Sequence, residues 1–187
     1  MTASRKDDQV MNSTATQPAT ITAPPPGAYR IDPSRSAIAF TTRHLFGLGA
    51  VRGTFTLQAG EVHIADPVEE STAWARIPAA SFLTGNASRD SAVRSARLLD
   101  AGAYPDIAFT SGPLERADGR WILHGLLSVH GAARPVDVLL EAAQSSGPEL
   151  RLQASVHLDR YDFGVTRVKG LAARHLRCRL DIAAHRF

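Results

Sequence analysis

Few residues in this chain of 187 combine a side-chain type and a position suited to chemistry. His44 closes the alternating run "SAIAFTTRH", in phase with Ile38 and Phe40, so it should point inward at a strand end. There its ring can hydrogen-bond a carbonyl or phosphate oxygen. The structural alternative is a core histidine tied to a backbone carbonyl near the Gly47–Gly49 turn. Arg89 and Asp90 stand side by side where a charged helical stretch begins. A guanidinium beside a helix start suits an anionic group. The structural alternative is a cap plus an ion pair that docks the helix. The other histidines, His63, His124, His130, His157, His175 and His185, form no metal-ligand spacing such as HExxH. Of these, His124, His130, His157 and His175 fall on outward strand faces. Cys178, in phase with Leu176 and Leu180, reads as a buried, inert thiol. The chain contains no GxSxG, no phosphate-cradling glycine loop and no dinucleotide fingerprint. Asp32, Asp90, Asp106 and Asp162 sit near turns or element ends, where carboxylates do structural work. The expectation is no catalytic residue, no metal and no covalent cofactor.

The elements that must position these residues are mostly strands. "AVRGTFTLQAG" sets Val51, Phe55 and Leu57 against Arg52, Thr54, Thr56 and Gln58. "STAWARIPA", "DIAFTS", "RWILHGLLSVH", "PVDVLLEA", "ELRLQASVHLD" and "HLRCRLDIAAH" alternate in the same way. Period-two alternation repeated this often marks half-buried antiparallel strands. Asp118-Gly119 and Ser145-Ser146-Gly147-Pro148 supply turn chemistry between them. About eight or nine consecutive strands leave edges, and closing the sheet into a barrel removes them. A barrel of about eight strands can hold one small ligand; a sandwich is the competing architecture. The shared phase places Phe40, Phe55, Phe109, Trp121, Leu123, Leu127, Val138, Leu152 and Val156 on the inner wall. One helix interrupts the pattern, expected from about Ser88 to Leu99. Ser88 or Asn86 is its N-cap, and Ala92, Val93, Ala96 and Leu99 form its apolar stripe.

Residues 1–26 are polar, rich in Thr and Ala, and end in Pro24-Pro25-Pro26; they read as a disordered tail before a domain spanning 27–187. Arg5 and Lys6 are followed by no apolar h-region, so a cytoplasmic location is expected. No apolar run approaches the roughly 20 residues of a membrane helix. The net charge of +3 comes from arginines spaced between apolar residues, the pattern of wet strand faces and not of a nucleic-acid surface. A single cysteine permits no internal disulfide.

Beyond these local patterns, the ordered series Asp32, Ser36, Phe40, His44, Gly53, Phe55, then Thr84-Gly85-Asn86, Arg89-Asp90, Tyr104-Pro105, Phe109, Gly125, Gly131, Pro135, Arg160 and Phe163-Gly164 resembles the YceI-like family. The resemblance covers about residues 29–187 and rests on order and spacing together. It implies a mainly all-β, extended, lipocalin-like antiparallel barrel with one short helix. It also implies a non-catalytic carrier of a long isoprenoid chain, such as an isoprenoid quinone or polyprenyl phosphate, with His44 and Arg89 as head-group candidates. A homodimer is among the expectations. Two other functions compete: an enzyme acting on an isoprenoid or a small polar substrate, and a structural or regulatory barrel filled by its own side chains. The interior separates the three, as an apolar tunnel, convergent polar groups or a packed core.

Overall fold

A computed structural model describes residues 23–44, 49–168 and 172–187. The alternating runs form ten strands: β1 (Gly27–Ile31), β2 (Ala37–His44), β3 (Gly49–Phe55), β4 (Ala59–Ile64), β5 (Thr72–Pro78), β6 (Asp106–Ala117), β7 (Arg120–Val129), β8 (Ala132–Ser146), β9 (Glu149–Asp159) and β10 (His175–Arg186). One helix, α1 (Ala87–Arg94), lies between β5 and β6.

The ten strands amount to eight long ones. β1 and β2 both pair antiparallel with β10, Ile31 opposite Ala184 and Ala37 opposite Asp181. Six steps along the chain therefore match three on β10, and Asp32–Ser36 bulges out of one interrupted strand. Side chains hold this excursion. The Asp32 carboxylate accepts from the Ser34 amide at 2.9 Å and hydroxyl at 2.6 Å. The Ser36 hydroxyl donates to the Asp32 carbonyl at 2.7 Å and accepts from the Ala183 amide at 3.0 Å. β3 and β4 run alongside in the same way, β3 on β2 and β4 on β1. Neighbours follow the order β1-β4-β5-β6-β7-β8-β9-β10, and β1 pairing with β10 closes the ring. That closing pair makes the molecule a barrel and not a sandwich.

The wall is incomplete beside β3. Its inner neighbour is β2, but among the described residues its outer edge meets only Leu83, whose amide and carbonyl exchange hydrogen bonds with Thr54 at 3.0 and 2.8 Å. The segment from Ala79 to Pro105 fills the gap, its base closed by the Ala79 amide donating to the Pro105 carbonyl at 2.8 Å. α1 belongs to this segment. Asn86 caps it, Oδ1 accepting from the Arg89 amide at 2.9 Å. The helix stops at Arg94, a turn earlier than the sequence suggested. Ser95 is extended (ψ 170°) and its hydroxyl donates back to the Ala92 carbonyl at 2.8 Å, a local bond that competes with helix propagation. Successive turns then carry the chain to Tyr104. Accordingly Ala96 is exposed, while Ala92 and Val93 of the expected stripe line the cavity together with Leu98 and Leu99.

Residues 1–22 of the expected tail lie outside the described residues. The last part of that tail packs on the barrel: Pro24 is buried, and the fully buried Tyr29 donates its hydroxyl to the Pro25 carbonyl at 2.8 Å. Proline has no backbone N–H that would need an acceptor, so it can be buried there without leaving an unpaired donor.

Candidate functional site

The barrel encloses a cavity of about 1190 Å³, larger than the roughly 300–1,000 Å³ of ordinary small-molecule pockets. Its wall is built strand by strand from inward positions. β2 supplies Ile38, Phe40 and Thr42; β3 supplies Val51 and Phe55. Ile107, Phe109 and Leu114 come from β6, and Trp121, Leu123, Leu127 and Val129 from β7. Val136, Val138 and Leu140 come from β8, Leu152, Ala154, Val156 and Leu158 from β9, and Leu176, Cys178, Leu180 and Ile182 from β10. All nine inner-wall residues expected from strand phase line this cavity. The inward phase shifts by one residue at two irregularities, between Ser111 and Leu114 on β6 and between Leu140 and Ala142 on β8, after which Leu114 and Ala143 carry on the lining.

The cavity runs the length of the barrel. Ile107 lies near the start of β6, beside the α1 segment, and Arg116 near its far end. Nine residues of strand separate them, about 30 Å along β6. Arg89, Val93, Arg97, Leu98 and Leu99 line the α1 end; Ala23, Pro24, Val68, Gly119 and Trp121 line the opposite end.

Two glycines shape the wall by having no side chain. A Cβ on Gly53 would sit 2.4 Å from the Phe40 ring and 2.5 Å from the Leu83 carbonyl oxygen. A Cβ on Gly125 would sit 2.3 Å from the Phe109 ring. Phe40 stacks on Phe82 at 5.1 Å and meets Phe55 at 5.7 Å, while Phe55 meets Phe82 edge-on at 5.5 Å. This aromatic trio ties β2 and β3 to the α1 segment.

The polar candidates separate. His44 ends β2, its backbone opposite Gly49, and its side chain lies outside the described residues. Arg89 lines the cavity, and among the described residues no ion pair from it docks the helix on the barrel. Asp90 is buried and accepts instead from the Thr84 amide at 2.9 Å and hydroxyl at 2.6 Å, closing the loop before α1. Three further arginines, Arg97, Arg116 and Arg160, line the cavity. Arg160 donates to four loop carbonyls: Ala173 at 2.8 Å, Arg167 and Ala172 at 3.0 Å, and Val165. Desolvation lowers its pKa, but it remains a fixed structural cation. Arg116 lies over the Trp121 ring, 5.6 Å from its centroid. Arg97 follows α1. Strand phase could have found Arg160, in step with Val156 and Leu158; Arg116 follows the β6 bulge that shifts the phase, and Arg97 sits in irregular turns, where no period applies.

Cys178 is on the wall, and burial pushes its thiol up to about 11. His124 does not stand free on its outer face, since its ring bridges Asp137 and Glu115 at 2.7 and 2.8 Å. The ring of His130 lies 4.7 Å from that of Tyr104. His63, His157, His175 and His185 are exposed. Among the described residues no group of three or more His, Cys, Asp or Glu could hold a metal, and no helix is long and apolar enough to cross a membrane. The interior is neither a packed core nor a cluster of convergent titratable groups.

Known proteins share this architecture. The structure of BcnA from Burkholderia cenocepacia superposes with a TM-score of 0.71 at 20% identity, over 82% of this chain and 98% of that one. A structure described as a polyisoprenoid binding domain from Saccharophagus degradans matches with a TM-score of 0.67 at 16% identity, over 85% of this chain and 98% of that one. In sequence, a UPF0312 protein of Vibrio cholerae is 27% identical over 140 residues, 71% of this chain and 73% of its own length. The model of the YceI-like domain matches residues 29–184, essentially the whole barrel from β1 to β10, and the chain therefore belongs to the YceI-like family.

Proposed function

We propose that this protein is a non-catalytic carrier that holds one long isoprenoid chain, as a quinone or a polyprenyl phosphate, lengthwise inside the barrel. The observation that carries this reading is the continuous apolar cavity of about 1190 Å³ running between the two barrel ends. Burying each chain methylene contributes about 0.8 kcal/mol, so a long chain needs little polar recognition. The nearly all-apolar wall suits such a ligand and offers a small polar substrate few partners. The name of the Saccharophagus degradans neighbour points the same way. Native mass spectrometry of the purified protein, with lipid extraction, tests it: a co-purifying isoprenoid in about one-to-one ratio is expected. A barrel that arrives empty and takes up no isoprenoid from detergent would overturn it.

A further inference from the structure

Charge is spread unevenly over the outside of the barrel. No carboxylate occurs between Asp32 and Glu61, or between Asp162 and Asp181, the stretches that form β2, β3 and the first half of β10. The register sets Arg52 of β3, Thr41 of β2 and Arg177 of β10 in one row, with Arg179 two residues along. All four are exposed and none lines the cavity, so they stand on the outer face. At about 4.8 Å between strands, the backbones of Arg52 and Arg177 are about 10 Å apart. Among the described residues no carboxylate, carbonyl or ring meets these three guanidiniums. The two carboxylates bordering the face are taken, Asp159 by Arg174 at 2.6 Å and Asp181 by Arg151 at 3.2 Å. Across the barrel, Glu115 on β6 and Asp137 and Glu141 on β8 supply the opposite sign.

The basic face adjoins the α1 end. Leu176, next to Arg177, packs with Val93 and Leu99. Leu83, 51% exposed, is hydrogen-bonded to Thr54 at the edge of β3. Ala39, Thr41 and Thr54 separate the arginines, and no aromatic ring is there for a base to stack on, which suits a layer of anionic head groups better than a nucleic acid strand. A long chain crossing water would expose every methylene, so a carrier gains by loading at the bilayer itself. We infer that the outer face of β3, β2 and β10 docks on an anionic lipid bilayer through Arg52, Arg177 and Arg179, with Leu83 entering the interface, and so sets the α1 end of the cavity against the membrane. The use of this surface rests on the carrier reading above; the docking itself does not.

The test floats the full chain with vesicles of phosphatidylcholine alone or mixed with phosphatidylserine, and follows uptake of geranylgeraniol from the mixed vesicles or from detergent. The protein should float only with the mixed vesicles, and less as salt rises. Arg52→Gln/Arg177→Gln/Arg179→Gln should bind them about a hundredfold more weakly, about fivefold per arginine, and load more slowly from them, with uptake from detergent unchanged. Arg120→Gln, an exposed arginine at the start of β7, should behave as wild type. Wild type that does not float, or a triple variant that floats equally well, overturns the docking surface, and uptake from detergent then still supports the carrier reading. Vesicle binding with no uptake from either source supports the docking surface and overturns the carrier reading. An equal loss in Arg120→Gln makes the effect one of net charge and overturns the assignment to this face. Tighter binding to a DNA oligonucleotide than to the mixed vesicles at the same salt overturns the choice of partner. If the triple variant melts early, Arg179→Gln alone should still weaken vesicle binding about fivefold; unchanged binding counts against the proposal.

Discussion

Phe40 and Phe55 are neighbours on the wall with different jobs. Phe40 is 2% exposed, wedged between Phe82 and the bare backbone of Gly53. Phe55 is half-buried and borders the cavity. Phe40→Ala should therefore cost about 3–5 kcal/mol, the range for a packed aromatic, and Phe55→Ala clearly less, because part of its ring already faces open space. Chemical denaturation of the two variants measures the difference. On the outer surface, His124 is held by Asp137 first and Glu115 second, and both hydrogen bonds raise its pKa above the ordinary 6.5. A raised folded pKa means the protonated bridge stabilises the fold fully below about pH 6.5, and that contribution is lost as pH rises through the higher folded value. The site is exposed, so the effect is small. Melting temperature should fall slightly more between about pH 6 and 8 in the native protein than in His124→Gln.

At the scale of elements, the α1 segment replaces wall that the short β5 cannot provide. Eight residues of helix are marginal alone, so tertiary packing holds them. That packing is the Val93, Leu98 and Leu99 face together with Phe82, while Asp90 and Asn86 fix the entry loop. Val93 faces the cavity as well as the core. Val93→Asp should therefore release bound isoprenoid, read by lipid retention through gel filtration, at a loss of melting temperature smaller than that of Phe40→Ala. Unfolding without a separate effect on lipid would make the segment a plug only. At the other end Ala23–Pro26 is the counterpart. A chain beginning at Gly27 should melt below one beginning at Ala23, because it loses the buried Pro24 and the acceptor of the Tyr29 hydroxyl. Equal melting curves would mean that the contact adds nothing.

For the whole molecule, what matters is that a ring of eight strands is wide enough to leave space along its axis. Side chains from facing strands stop short of one another, and a cavity of about 1190 Å³ remains. An empty apolar space of that size is costly, since its lining forfeits dispersion contacts. A bound chain restores them. The melting temperature of the delipidated protein should thus rise on adding geranylgeraniol, by an amount that grows with its concentration.

Much of this was legible in the sequence, and the reason is periodicity. Side chains alternate strictly along a strand, so the phase of Phe40, Phe109, Leu123, Val138 or Val156 within its own run already assigns its face, whatever the neighbours are. Edge avoidance then argues for closure, and the cap at Asn86 marks where the helix begins. Tertiary structure decided what has no local signature. Ser95 ended α1 early by a side-chain bond to Ala92, so the inner face became Ala92, Val93, Leu98 and Leu99. Pro24 was drawn onto the barrel from a stretch that composition reads as tail. The fates of the arginines were decided the same way: Arg94 and Arg160 met carbonyls, while Arg89 and Arg97 met none among the described residues. Arg89, Arg94 and Arg97 share one short stretch of sequence, and a long, flexible cation takes its role from whichever acceptor the fold brings within reach.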